Sequence, residues 1–358
     1  MKAVVLVGGE GTRLRPLTLT TPKQLLPIVG EPMIERVLEH LVAYGVDEAI
    51  LSMGYLPDAF REAYPDGHAA GIALTYAVEP EPLDTAGAVR FAATFGQVDD
   101  TFVVVNGDVL TDLDLGTLID FHRSSGAEGT IALHPVADPS AFGVVPTDAD
   151  GRVVSFVEKP PRDEAPTNEI NAGTYVFEPS VLERIAPSGR VSIERETFPA
   201  MVRDGVLCAR ADDSYWLDTG TPAAYLQANH DLLSRRWHAR LPDGLHDRGD
   251  AVYLAGASRV LGDVVGPSVI FGECEVARGA RVERSVVGRG SVIDAGAVVR
   301  DSVLMEGSRV AADASVAGSV LGPHATVGQR SDVRAVSVLG ARATVASGTV
   351  VDGERIAS

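Results

Sequence analysis

Apolar residues recur with two different periods along the chain, and the change between them falls near residue 254. Up to about residue 230, short apolar runs at residues 3–7, 48–53, 73–78 and 101–105 predict strands. Helical spacing of apolar residues predicts helices at residues 33–42, 85–94 and 115–124. The first of these helices has Pro32 near its start and Gly45 just past its end, as is common at helix termini. This alternation predicts an α/β fold with a doubly wound, mostly parallel sheet.

The rest of the chain has a period of six. Small or β-branched residues recur at every sixth position within three runs: Val264, Ile270, Val276 and Val282; Leu304, Val310 and Val316; and Val327, Val333, Leu339, Val345 and Val351. The dipeptide Ser-Val also begins at residues 268, 285, 302, 319 and 337, in steps of 17, 17, 17 and 18 residues. Three hexapeptides per unit predict a parallel β-helix of about five coils. The pattern resembles the left-handed β-helix of hexapeptide repeats.

These two patterns of apolar residues predict two domains, at residues 1–234 and 259–358, and a chain of 358 residues is long enough for both. Residues 235–258 are polar and without clear periodicity, and we interpret them as a linker. An amphipathic helix that begins earlier and docks on a domain is an equally good interpretation of this segment.

Composition and charge narrow the class of protein. With 45% hydrophobic residues the chain can bury a sizeable core, and no apolar run approaches the ~20 residues of a membrane span. A net charge of −18 disfavours nucleic acid and anionic membranes as partners. The cysteines, Cys208 and Cys274, are too few for a disulfide framework, and the segment after Met1 has no signal-peptide features. We therefore expect a cytoplasmic protein that binds neither nucleic acid nor membrane.

A glycine-rich loop with two cations follows the first strand. Glycines let the backbone approach an anion closely, and successive N–H groups can cradle phosphate oxygens. An arginine and a lysine add full positive charge to this loop. The predicted nucleotide-binding residues here are Gly8, Gly9, Gly11, Thr12, Arg13 and Lys23. The alternative is an ordinary tight turn between strand and helix.

A second polar segment, Asn106-Gly107-Asp108, follows the strand predicted at residues 101–105. Ligands of doubly wound sheets bind beyond the carboxyl ends of the strands, where the glycine-rich loop is also expected. Gly107 is therefore a further candidate for nucleotide binding. Asp108 either caps the next turn or binds Mg²⁺, which typically takes one or two carboxylates together with substrate phosphates.

The order and spacing of these motifs resemble the sugar nucleotidyltransferases, also called nucleotide-sugar pyrophosphorylases. These enzymes join a sugar 1-phosphate to a nucleoside triphosphate and release pyrophosphate. The resemblance implies a Rossmann-like nucleotidyltransferase domain in which Arg13, Lys23 and Asp108 are catalytic. It adds Asp218, in Trp216-Leu217-Asp218-Thr219-Gly220, as a second Mg²⁺ ligand. It also implies a sugar-phosphate site formed by Gly143, Glu158, Lys159, Asn171 and Gly173.

The segment at residues 79–87 resembles the base-contacting segment of this family, with Glu79, Asp84 and Thr85 as candidates. It is most similar to the mannose-1-phosphate guanylyltransferases, although Asp84 replaces their usual glycine and would need a left-handed backbone. The segment around Gln24 resembles that of thymidylyltransferases. Residues 192–199, in contrast, resemble the corresponding segment of guanylyltransferases. An ionised Glu79 could accept both donors of guanine. Alternatively, backbone groups near residues 83–85 read the base.

The expected reaction is therefore mannose 1-phosphate plus GTP to GDP-mannose plus pyrophosphate, with Mg²⁺ as cofactor. The same reaction with glucose 1-phosphate and dTTP, UTP or ATP is one alternative. A non-catalytic subunit that senses nucleotide sugars is another, which the complete set of charged residues disfavours. Because the end of a β-helix exposes strand edges, we also expect a homo-oligomer.

Overall fold

The computed structural model describes residues 1–357. By its contacts the chain forms two compact units: unit 1 comprises Met1–Gly9 and Ile34–Trp216, and unit 2 comprises Glu10–Met33 and Leu217–Ser358, of which Ser358 lies outside the described residues. The glycine-rich loop thus passes from one unit to the other after Gly9. No sequence pattern indicated that residues 10–33 would group with the C-terminal part of the chain.

The alternating elements predicted for the first part of the chain are confirmed. Its strands are β1 (Lys2–Leu6), β2 (Pro27–Ile28), β3 (Glu31–Pro32), β4 (Glu48–Met53), β5 (His68–Ala69), β6 (Ile72–Val78), β7 (Phe102–Asn106), β8 (Val109–Thr111), β9 (Gly129–Pro135), β10 (Gly143–Val144), β11 (Val157–Glu158), β12 (Glu169–Phe177), β13 (Leu207–Ala211) and β14 (Trp216–Asp218). Its helices are α1 (Met33–Ala43), α2 (Pro57–Ala63), α3 (Asp84–Phe95), α4 (Leu115–Ser125), α5 (Phe198–Arg203) and α6 (Pro222–Leu233). Short 3₁₀ segments occur at Thr12–Leu14, Leu17–Leu19, Lys23–Leu25, Arg162–Glu164 and Pro179–Arg184, and a π-helical turn at Ile193–Thr197.

The described part of unit 1 is built on one ten-stranded sheet. Eight of its strands have the order β11-β10-β12-β7-β1-β4-β6-β5; in addition β9 pairs with β12, and β13 pairs with β9. The central strands β7, β1, β4 and β6 are parallel, so their carboxyl ends lie at one edge. β12 runs antiparallel to β7, and its first half therefore reaches the same edge. The predicted doubly wound, mostly parallel sheet is confirmed, and this edge is where its ligands are expected.

An aromatic cluster fills one side of the unit 1 core. The rings of Tyr175 and Phe177 stack at 5.4 Å, and Phe198 packs edge-on against both. All three side chains are almost completely buried. Burial of one such ring is worth about 1.5–3 kcal/mol, so this cluster holds β12 rigidly at the centre of the sheet.

Unit 2 contains the predicted left-handed β-helix, which is confirmed. In the described residues its first sheet has eight strands, of which all but the antiparallel β15 are parallel: β15 (Leu245–Asp247), β16 (Val252–Ala255), β19 (Ser268–Ile270), β22 (Val286–Val287), β25 (Val303–Leu304), β28 (Val320–Leu321), β31 (Val338–Leu339) and β34 (Arg355–Ile356). The second has six: β17 (Arg259–Val260), β20 (Glu275–Val276), β23 (Val292–Ile293), β26 (Arg309–Val310), β29 (Thr326–Val327) and β32 (Thr344–Val345). The third also has six: β18 (Asp263–Val265), β21 (Arg281–Glu283), β24 (Val298–Arg300), β27 (Ser315–Ala317), β30 (Asp332–Arg334) and β33 (Val350–Asp352).

The residues with the six-position period point into this β-helix. They form one buried cluster that runs from Ile270 to Val351, with Val264 packed at its margin. The serines of the Ser-Val repeat line one corner and are fully buried; the Ser302 hydroxyl, for example, accepts a hydrogen bond from Ser319 N at 3.1 Å. The single step of 18 residues occurs at a corner where two consecutive residues, Ala335 and Val336, have positive φ.

Residues 235–258, interpreted as a linker, contain two strands. β15 pairs antiparallel with β16, and β16 pairs in parallel with β19. The first sheet of the β-helix therefore begins before residue 259. None of the described helices is both long and apolar enough to cross a membrane.

Candidate active site

Several residues predicted to bind the nucleotide lie at the carboxyl edge of the unit 1 sheet. After β1, the backbone N–H of Val7 donates a hydrogen bond to Ser52 O. The chain then continues into Gly8 and Gly9. Glu79 follows β6, and its N–H bonds Met53 O at 2.8 Å. Gly107 follows β7, and its N–H bonds Leu6 O at 3.0 Å. Four separate strand ends are thus joined by backbone hydrogen bonds at one edge, with Asp108 directly after Gly107.

Glu79 is half-buried and has internal partners. Its Oε1 accepts a hydrogen bond from Ser52 Oγ at 3.1 Å, and its Oε2 accepts one from Leu83 N at 3.1 Å. The carboxylate therefore closes the turn between β6 and α3. A carboxylate offers about four acceptor positions, so these bonds leave capacity for a ligand. The geometry shows that Glu79 is more than a solvated side chain.

Asp84 and Thr85 form the start of α3. Asp84 adopts the left-handed backbone that the sequence predicted, with φ 61°, and its Oδ1 accepts a hydrogen bond from Thr85 N. Thr85 Oγ1 donates to Glu194 Oε2 and accepts from Ile193 N, both at 2.8 Å. Thr85 thereby ties the base-side segment to residues 192–196, the segment whose sequence favoured guanylyltransferases.

The predicted sugar-phosphate residues lie together in unit 1. Gly143 pairs with Glu158 across β10 and β11. Lys159 N donates to Phe142 O, and Lys159 Nζ lies 3.0 Å from Glu158 Oε1. Lys159 has a left-handed backbone with φ 50°, and its side chain is 60% exposed. A partly exposed ammonium beside a carboxylate can bind a phosphate and a hydroxyl side by side.

Asn171 and Gly173 form a bulge in β12. The pairing of β12 with β9 shifts register between Asn171 and Tyr175. Asn171 Oδ1 accepts from Gly173 N, and Asn171 Nδ2 donates to Tyr175 OH, both at 3.0 Å. Gly173 has φ 75°, and a Cβ there would lie 2.5 Å from Asn106 Nδ2. Only glycine fits, so the bulge brings the sugar-side residues against the end of β7.

Trp216 supports this bulge, a role that the sequence did not reveal. Its Nε1 donates to Ala172 O at 2.9 Å, and its ring stacks on His134 and meets Phe142 edge-on. Burial lowers the pKa of the His134 imidazole, so this ring is neutral at pH 7. The motif Trp-x-Asp-x-Gly marked Trp216 in the sequence, but its contacts join residues more than forty positions away.

In unit 2, the rest of the glycine-rich loop forms a compact turn. Gly11 is left-handed, with φ 60°, and its carbonyl accepts hydrogen bonds from Leu14 N at 2.9 Å and Thr18 Oγ1 at 2.8 Å. Thr12 begins the 3₁₀ turn that carries Arg13. Lys23 begins another 3₁₀ turn, and its side-chain stem lies against Gly11. The structure thus brings Gly11 and Lys23 together.

Arg13 lies beside Gly220, two residues after Asp218. A Cβ on Gly220 would lie 2.4 Å from Arg13 Nη2 and 2.9 Å from Asp218 Oδ1, and Gly220 N donates to that oxygen at 2.8 Å. The missing side chain at Gly220 leaves the space that the guanidinium occupies. Arg13 and Asp218, distant in the sequence, therefore border the same glycine.

The predicted metal ligands are both half-buried carboxylates, Asp108 after β7 in unit 1 and Asp218 at the end of β14. Hard carboxylate oxygens suit Mg²⁺, which commonly completes its shell with phosphates and water. Within the described residues, no three or more His, Cys, Asp or Glu side chains are grouped as a metal site. The sequence shows no zinc-like spacing among its histidines, and Cys208 and Cys274 are buried free thiols.

Comparison with known proteins matches both parts of the chain. Residues 2–235 match the nucleotidyl transferase family model, and residues 262–358 match the model described as the GMPPB C-terminal domain. A mannose-1-phosphate guanylyltransferase of Mycobacterium tuberculosis is 43% identical over 292 residues, 80% of each chain. A UTP–glucose-1-phosphate uridylyltransferase of Synechocystis is 34% identical over 321 residues, 80% of this chain and 82% of the relative. The crystal structure of HddC from Yersinia pseudotuberculosis complexed with GMP-PN superposes with a TM-score of 0.56 at 31% identity, covering 64% of this chain and 99% of that one.

Proposed function

This chain belongs to the nucleotidyl transferase family and is a sugar-phosphate nucleotidyltransferase, and we propose that it makes GDP-mannose from mannose 1-phosphate and GTP. A phosphate oxygen of mannose 1-phosphate attacks the α-phosphorus of GTP in line. The bond between the α-phosphorus and the α–β bridging oxygen breaks, and pyrophosphate leaves. Such transfer depends on positioning and charge stabilisation, so it needs no protein nucleophile.

The observation that carries this proposal is the arrangement along the carboxyl edge of unit 1. Glu79 and Asp84, which we assign to the base, follow β6. The residues that we assign to the sugar phosphate lie on and after β11 and on β12: Glu158, Lys159 and Asn171. Asn106 contacts the sugar-side bulge, and Asp108 follows two residues later. One edge thus carries residues suited to a nucleotide and residues suited to a sugar phosphate.

The predicted roles follow from charge. Arg13 stabilises the leaving pyrophosphate, and Lys23 neutralises charge on the triphosphate, while backbone N–H groups of the glycine-rich loop cradle its oxygens. Lys159 orients the phosphate of the sugar, and Glu158 and Asn171 accept from its hydroxyls.

We propose Mg²⁺ as the cofactor, held by the carboxylates of Asp108 and Asp218. When bound, it would neutralise phosphate charge and help align the reacting groups. Asp108→Asn and Asp218→Asn test this assignment: each should weaken Mn²⁺ binding, measured by electron paramagnetic resonance, as well as turnover. Unchanged Mn²⁺ affinity in both variants would place the metal elsewhere.

The choice of guanine and mannose is supported by the guanylyltransferase of M. tuberculosis and by the partners of Thr85 in the segment 192–196. The Synechocystis uridylyltransferase supports the alternative of UTP with glucose 1-phosphate. A matrix of GTP, dTTP, UTP and ATP against mannose and glucose 1-phosphates, read by pyrophosphate release, decides between them. A protein that binds nucleotide sugars but releases no pyrophosphate with any pair would be the sensing subunit instead.

A further inference from the structure

One side chain from the end of the β-helix binds the main chain of the glycine-rich loop. Arg355 Nη1 lies 2.6 Å from the carbonyl oxygen of Arg13 and 2.7 Å from that of Arg15. Arg355 begins β34, which pairs in parallel with β31 through Val338. All of these residues belong to unit 2. A residue more than three hundred positions away in sequence therefore contacts the loop that carries Arg13.

Other contacts also restrain the loop, but they do not use the carbonyls of Arg13 and Arg15: Arg15 pairs with Glu10 at 2.7 Å, Leu14 is buried, and Thr18 Oγ1 donates to Gly11 O. The turn Thr12–Leu14 is a single 3₁₀ turn, and its own hydrogen bonds use the carbonyls of Gly11 and Thr12. Carbonyls at the end of such a turn need donors from outside. Pro16 also lies close to the β-helix, because a Cβ on Gly340 would be 3.2 Å from its Cβ and Cγ. Charge-assisted bonds from one guanidinium to two carbonyls fix the backbone on both sides of Leu14.

We propose that Arg355 is a positioning residue for nucleotidyl transfer, which holds the Arg13 backbone so that the Arg13 guanidinium stays beside Gly220. The inference rests on the proposed function, since it takes Arg13 as the group that stabilises the leaving pyrophosphate. The β-helix thereby contributes to the catalytic arrangement through one side chain.

Loss of this contact keeps the charges of Arg13 and Lys23, which we assign to the phosphates. It removes the restraint on the backbone at Arg13 and Arg15. A misplacement of about 1 Å can cost up to about 10²-fold in rate. We therefore expect Arg355→Ala to lower kcat/KM for the triphosphate on the order of 10-fold. KM for the sugar 1-phosphate should stay unchanged, because the proposal assigns Arg355 to the loop that carries Arg13 and assigns the sugar phosphate to Lys159.

Arg355→Lys and Arg334→Ala are the matched variants. A lysine can still donate to both carbonyls and should restore most of the activity. Arg334 forms ion pairs with Asp332 and Asp352 within the β-helix, so Arg334→Ala removes an arginine of similar exposure without touching the loop. It should keep wild-type kinetics. Equal losses in Arg334→Ala and Arg355→Ala would mean general weakening of the β-helix and would overturn the inference.

A double-mutant cycle tests whether Arg355 acts through Arg13. In the Arg13→Ala background, Arg355→Ala should cause less than about a 2-fold further loss, because neighbouring groups that act together are not additive. Full additivity would show that Arg355 acts by another route and would overturn the proposal.

Amide hydrogen exchange of residues 11–15, measured by mass spectrometry, tests the contact without measuring activity. Arg355→Ala should accelerate exchange there, with no change in the Arg334→Ala protein. If the wild type releases no pyrophosphate with any substrate pair, the proposed function fails, and the exchange result still decides whether Arg355 restrains the loop. Unchanged exchange together with unchanged kinetics would refute the inference.

Discussion

At the scale of single residues, the space beside Gly220 determines where the Arg13 guanidinium lies. Gly220→Ala should displace that guanidinium, because a Cβ would lie 2.4 Å from Nη2. The displaced atoms are the ends of flexible side chains, so the free energy of unfolding should change little. We expect kcat/KM to fall about 10-fold in Gly220→Ala and about 10²-fold in Arg13→Ala and Lys23→Ala, which lose the charge itself.

Steady-state kinetics and urea unfolding of the same preparations check these values. Arg61→Ala is the control, since Arg61 forms an exposed ion pair with Asp58 on α2. Wild-type turnover in both Arg13→Ala and Lys23→Ala would contradict the assignment of the loop.

In our proposal, Glu79 determines which base the enzyme prefers. Its hydrogen bonds with Ser52 and Leu83 allow a specific test by mutation. Glu79→Gln loses an acceptor for either guanine or Leu83 N, so it should reduce the use of GTP more than that of dTTP. Ser52→Ala removes the internal bond to Oε1 and a longer bond to Ala88 O but keeps the Glu79 carboxylate, and it serves as the control. The measurement is the ratio of kcat/KM for GTP and dTTP. A ratio that Glu79→Gln leaves unmoved would assign base recognition to the backbone near residues 83–85.

At the scale of elements, buried serines hold the coils of the β-helix together. Ser302 Oγ donates to Arg300 O at 2.6 Å and accepts from Ser319 N at 3.1 Å. Ser302→Ala leaves the buried Ser319 N–H without its acceptor, so the free energy of unfolding should fall by about 1–3 kcal/mol. Ser347→Ala, at an exposed turn, should change it by less than about 0.5 kcal/mol. Equal stability of both variants in urea would show that the serine ladder does not stabilise the coils.

At the scale of the whole molecule, we predict a homo-oligomer in which the β-helix supplies contacts. Val350 on β33 is 55% exposed and lies on the outer face of the β-helix, where exposed apolar side chains and strand edges favour association. Val350→Lys should lower the particle mass measured by light scattering. Val154, 61% exposed in unit 1, provides the matched control Val154→Lys. A monomeric wild type, or dissociation by Val154→Lys rather than Val350→Lys, would contradict this surface.

Local pattern was enough to predict most of the strands and helices. Apolar spacing predicted residues 48–53 as the strand that the structure shows at Glu48–Met53, because a short continuous apolar run, buried here from Ala49 to Met53, is a local property of the chain. The period of six predicted the β-helix core for the same reason. The left-handed backbone of Asp84 was also predicted, since a short polar side chain at a glycine position tolerates it.

Only the tertiary structure decided which distant residues meet. That Trp216 supports the bulge at Ala172, that Gly220 leaves room for Arg13, and that Arg355 binds the carbonyls of Arg13 and Arg15 are results of chain folding over tens to hundreds of residues. The spacing of apolar residues in the sequence cannot predict such contacts, because they depend on strand order and coil stacking rather than on neighbouring residues. The sequence by itself determined the two folds and the chemistry available to them, and the packing of the chain determined how that chemistry is positioned.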